Sequence, residues 1–81
     1  MPHIIIKLYP GRSEEEKMNL VEKITAVVSE NLNLNESSIS IAIEEVPREN
    51  WAKEVYKKDI IDKHEKLYKE PGYRPNENEF V

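Results

Sequence analysis

Ile4, Ile5 and Ile6 stand side by side near the start of an 81-residue chain. Successive side chains on a strand point to opposite faces, so an unbroken β-branched run places apolar groups on both. That pattern suits a strand covered on two sides rather than one facing water. The strand reads as residues 3–9, closed by the turn pair Pro10-Gly11. Little is available to cover it. A chain of this length buries only about 60% of the surface its unfolded form exposes. There is no cysteine, so no disulfide can staple it, and the two isolated histidines, His3 and His64, form no ligand cluster. A second copy of the chain is the remaining way to enlarge the core.

The following segments agree with that reading. Ser13 and Glu16 have the spacing of a reciprocal capping box, and Glu14, Glu15 and Glu16 suit the positive end of a helix dipole. Leu20, Val21, Ile24, Val27 and Val28 then recur as one helix face, and Leu32 extends it. Asn33 and Asn35 can end the helix, which is expected over residues 13–32. Residues 38–46 alternate Ile39, Ile41 and Ile43 with Ser40, Ala42 and Glu44, a strand period. Strand, helix and strand with short connections make a right-handed βαβ unit with parallel strands. Two strands are too few for an independent sheet, so a second subunit is expected to complete it. After Pro47-Arg48-Glu49-Asn50 a further helix is expected over about 51–69. Ile60, Ile61, His64, Leu67 and Tyr68 give it one face, which Ala52, Val55 and Tyr56 continue unevenly. Pro71-Gly72 ends it. The tail, residues 70–81, is expected to be irregular, with Tyr73 docked on the body. The fold class is therefore α/β (α+β): a βαβ unit of about residues 2–46 plus a C-terminal helix, in one domain.

Formal net charge is −4, and 35% of residues are charged. No basic run offers a phosphate-binding footprint, so neither nucleic acid nor an anionic membrane is an expected partner. No apolar run approaches the roughly 18 residues of a spanning helix. No leader pattern is visible, and a cytoplasmic protein is expected.

Chemistry can enter at Pro2. With Met1 removed, its ring nitrogen becomes a secondary amine at a strand end; with Met1 retained, it lies in an amide with neither basicity nor a proton. An α-amino group titrates at about 7.7–8.0, and an apolar pocket or a nearby cation lowers that further. A base poised near neutrality can accept a proton and return it. Arg12, in the Gly11-Arg12-Ser13 turn before a helix N-terminus, offers a planar fork to a carboxylate.

Met1-Pro2 leading a strand, Gly11-Arg12-Ser13 opening the helix, and Ser37-Ser38-Ile39-Ser40-Ile41-Ala42-Ile43 before Trp51 together resemble the 4-oxalocrotonate tautomerase family. With Pro71-Gly72-Tyr73, the later part is similar to its longer-chain, dimeric bacterial members of the PptA type. The likeness covers about residues 1–73. It implies a tautomerase-like fold whose sheet is completed by dimerisation. It also implies a cofactor-independent isomerase acting on a small enol or keto acid. Pro2 would be the catalytic base, Arg12 the carboxylate binder and Trp51 an aromatic wall. Short-chain members carry a second arginine in the second strand. Ser40 stands there in this chain, with Arg48 as a candidate substitute. The expected substrate therefore has one carboxylate and an apolar remainder, such as phenylenolpyruvate or a 2-hydroxydienoate. Two other readings stay open on the residues: a non-enzymatic dimeric binding module, and hydratase or dehalogenase chemistry with Pro2 as an acid.

Overall fold

Strands β1 (His3–Leu8) and β2 (Ser40–Glu45) pair in parallel in the computed structural model, which describes residues 1–81. Their register sets His3 beside Ser40, Ile4 beside Ile41, Ile6 beside Ile43 and Leu8 beside Glu45. The helix between them, α1, runs Glu14–Leu32. The two strands make an open sheet with no further members. This is the expected βαβ unit, with strands one to three residues shorter than the periodicity suggested.

Local chemistry accounts for the limits of α1. The Ser13 side chain accepts the Glu16 N–H at 3.1 Å, and the Glu16 carboxylate accepts the Ser13 N–H at 3.2 Å. This capping box satisfies two amide donors that helix geometry would otherwise leave open. At the far end Asn33 takes the left-handed conformation, φ 55° and ψ 53°, and its N–H reaches the Ser29 carbonyl. Lys17, Val21, Ile24, Thr25, Val28 and Ser29 are half-buried and share one stripe of the helix. The Lys17 ammonium bonds the Glu45 carboxylate at 2.8 Å. That pair identifies the sheet face α1 covers: the face of Ile4, Ile6, Leu8, Ile41 and Ile43. Ile5 points the other way and is 52% exposed. One face of the isoleucine run is thus covered within the chain, and no residue of α1 is fully buried.

Residues Met1–Glu45 form one compact unit and Val46–Val81 a second. In the second, a 3-10 turn at Arg48–Asn50 leads into a π-helix, Ala52–Ile61. It carries Ala52, Val55, Tyr56 and Ile60 inward, while Ile61 stays 41% exposed. Ala52, Val55 and Tyr56 are its buried core.

The helix expected over 51–69 therefore ends eight residues early. The Asp62 N–H closes the last wide turn on the Lys57 carbonyl at 2.8 Å, and the Lys57 ammonium holds the Asp62 carboxylate at 3.0 and 3.1 Å. Beyond it, Leu67 alone of residues 62–69 is even half-buried, so no apolar stripe sustains another turn. A short 3-10 turn at His64–Lys66 follows. Tyr73 docks as expected: its ring meets Tyr56 edge-on at 5.4 Å, and Tyr56 donates its hydroxyl to the Tyr73 carbonyl at 3.2 Å. The tail is not wholly irregular, since Glu77–Phe80 form a 3-10 turn capped by Asn76 and Glu79. No helix is long and apolar enough to cross a membrane.

Candidate active site

Pro2 sits just before β1 and is half-buried, while Met1 ahead of it is fully exposed. The Pro2 carbonyl accepts the Ser40 N–H at 3.2 Å, which ties this end of the chain to the start of β2. Beside that bond, His3 Nδ1 and Ser40 Oγ lie 2.7 Å apart. Ser40, expected at the position of a strand arginine, instead forms a polar pair with a residue read only as a strand end. Nothing local announces the pair, because His3 and Ser40 meet only once the parallel register is known. Alternation along β1 puts Pro2 on the same face as Ile4, the face α1 covers.

Arg12 lies at the opposite end of the strand. Gly11 has φ 122°, a conformation that strains any residue with a Cβ. This turn delivers Arg12 to the mouth of α1. Leu8, Arg12, Glu16, Lys17 and Leu20 line a pocket there of about 320 Å³. Leu8 and Leu20 supply apolar wall; the other three are charged. Arg12 Nη1 meets Glu16 Oε2 at 3.3 Å, and the Arg12 side chain stays 69% exposed. The amide of Ser13 and then the Arg12 guanidinium hold the Glu16 carboxyl below its ordinary value of 4.5. Lys17 is held by Glu45 at 2.8 Å and Glu14 at 3.3 Å, and its pKa rises above the ordinary 10.5, chiefly through the Glu45 bond. This pair, which ties α1 to the end of β2, gave no sign in the sequence.

Pro2 and Arg12 are thus not brought together within one chain. The length of β1 separates them, roughly 15–20 Å at about 3.3 Å per residue. In the second unit, Arg48 opens the 3-10 turn and Trp51 follows it, half-buried. Trp51 donates its indole N–H to the Tyr73 hydroxyl at 2.7 Å.

The sequence model of the Tautomerase family, described as tautomerase enzyme, matches residues 2–59. The chain belongs to the tautomerase family. A probable tautomerase of Xylella fastidiosa (strain 9a5c) is 42% identical over 73 residues, covering 90% of this chain and 89% of that protein. Tautomerase PptA of Escherichia coli (strain K12) is 40% identical over 77 residues, covering 94% and 99%. Among solved structures, YwhB, a homologue of 4-oxalocrotonate tautomerase, superposes with a TM-score of 0.61 at 37% identity, covering 67% of this chain and 88% of that one. The chain is accordingly an enzyme of the isomerase class, related to the PptA-type tautomerases, with the βαβ fold of the 4-oxalocrotonate family. Tautomerase membership disposes of the non-enzymatic binding module. The family match spans all five residues singled out in the sequence: Pro2, Arg12, Ser40, Arg48 and Trp51.

Proposed function

We propose that the chain is a cofactor-independent enol–keto tautomerase for a 2-hydroxyenoate, a 2-hydroxydienoate or a phenylenolpyruvate-like acid. Its base is the Pro2 amine freed by loss of Met1. The observation that carries this reading is the family match, which begins at Pro2 and runs through the Arg12 turn. In the reaction the Pro2 nitrogen takes the proton of the enol hydroxyl. The C=C electrons become a new C–H bond at C3, which receives a proton from the Pro2 ammonium, and the oxygen closes to a carbonyl. Atoms and electrons balance without any other reactant. The Arg12 fork holds the carboxylate and opposes the charge that grows on the oxygen in the transition state. Trp51 is proposed as an aromatic wall from the resemblance of its position to that of the family's aromatic residue.

Because Pro2 and Arg12 lie at opposite ends of β1, one small acid reaches both only if two copies cooperate. The open sheet supports such an arrangement. β1 is the strand with isoleucine on both faces, and β2 ends in Glu44 and Glu45, which suit an outer edge. A two-fold axis through the sheet pairs the two β1 strands antiparallel, keeps both helices on one face, and sets Pro2 of one copy near Arg12 of the other. The homodimer is thereby part of the proposed site.

The deciding experiment is phenylenolpyruvate ketonisation by protein whose intact mass shows Met1 removed, beside Met1-retaining protein. Activity confined to the processed form, rising with pH as the amine loses its proton, is expected. Equal activity in both forms removes Pro2 from the mechanism. Activity that falls as pH rises over the same range favours the acid chemistry of a hydratase or dehalogenase.

A further inference from the structure

The pocket at the mouth of α1 holds a cation already shared with the chain's own carboxylate. Arg12 Nη1 lies 3.3 Å from Glu16 Oε2. Lys17, the other cation, is engaged by Glu14 and Glu45, and its side chain is only 15% exposed. Two cations and three carboxylates therefore meet within one turn of helix and the end of β2. The cluster carries one carboxylate more than it has cations to match. A ligand carboxylate arriving at Arg12 meets Glu16 on the same guanidinium, and no second cation stands open for another anionic group.

We propose that Glu16 is a specificity-determining residue. It competes with the substrate carboxylate for Arg12 and disfavours a second carboxylate on the ligand, which makes the pocket selective for monocarboxylates with an apolar remainder. This rests on the reading of Arg12 as the carboxylate binder and deepens it. The Leu8 and Leu20 walls fit the apolar portion. The ionised state the argument needs follows from the Ser13 and Arg12 contacts, which hold the Glu16 carboxyl below its ordinary value.

One substitution separates Glu16's charge from its structural duty. Glu16→Gln keeps an oxygen for the Ser13 N–H, since glutamine closes a capping box as glutamate does, and removes the charge beside Arg12. The stable keto acids phenylpyruvate and 2-oxoadipate serve as mono- and dicarboxylate probes. Their dissociation constants are read from the Arg12 Nε–H NMR signal and from calorimetry, on the processed protein. Glu16→Gln is expected to tighten phenylpyruvate about 3- to 10-fold and 2-oxoadipate by a larger factor, the scale of removing one like charge a few ångströms away in a wet site. Arg12→Ala is expected to weaken both, read by calorimetry. If Arg12→Ala weakens binding while Glu16→Gln leaves both constants unchanged or raises them, the role of Glu16 fails and Arg12 stands. Equal tightening of both probes removes the selectivity claim. If neither acid binds, or Arg12→Ala binds both as tightly as the parent, the Arg12 reading itself fails.

Discussion

Glu16 serves two neighbours with one carboxylate, and pH separates its roles. Its folded pKa lies below 4.5 because the Ser13 N–H and then Arg12 stabilise the charged form. A carboxyl depressed on folding contributes stability that is complete above its ordinary value and is lost as pH falls through the lower folded value. Helix content at 222 nm should therefore show an acid step below about pH 4.5, and Glu16→Gln should lack that step. Pro2 carries the other residue-scale expectation: Pro2→Ala in the processed chain should lower kcat for phenylenolpyruvate by about 10²-fold or more, the usual worth of a positioned general base. A loss below threefold would argue against proline as the base. The Arg12–Ser13–Glu16 cluster was legible in the sequence because all its partners lie within one helical turn. The His3–Ser40 and Lys17–Glu45 pairs were not, since each depends on chain segments brought together only by the strand register.

The two helices differ in how plainly the sequence announces them. α1 has a capping box, a 3.6-residue apolar stripe and a left-handed asparagine at its end, so its limits were readable to within a residue. Asn33 tests the last of these. Asn33→Ala should cost about 1 kcal/mol, because alanine keeps a Cβ in the left-handed region without the short polar side chain whose local hydrogen bonding lets asparagine adopt it, whereas Asn33→Gly, which removes the Cβ, should be neutral or slightly stabilising. Urea midpoints for the two variants, which change nothing else on this exposed turn, check the sign. The C-terminal helix lacks such marks. Its inward residues run from Ala52 to Ile60, and Leu67 and Tyr68, which continue the pattern toward Pro71-Gly72 in the sequence, lie outside the helix. The true stop at Asp62 is made by a wide-turn hydrogen bond and the Lys57–Asp62 pair, which composition does not advertise.

For the molecule as a whole, the isoleucine run foretold an incomplete core. Residues 1–45 contain no fully buried side chain, and Ile5, Met18 and Val27 stay more than half exposed. The sequence pointed to a second copy; the edge proposed for it depends on charges at β2 that matter only once the sheet is seen. Ile5→Lys places a charge on the open face beside the β1 edge and should shift the light-scattering mass from two chains toward one, with ketonisation lost in parallel. An active monomer would break the link between assembly and catalysis. The distance between Pro2 and Arg12 along β1 also has a genetic meaning. In the proposed dimer each chain carries half of two different sites, so two crippled copies should rescue one another. A hybrid of Pro2→Ala and Arg12→Ala chains owns one site with both groups intact and one with neither. After equal mixing and reassembly, about a quarter of the parental activity should return from two nearly inactive stocks.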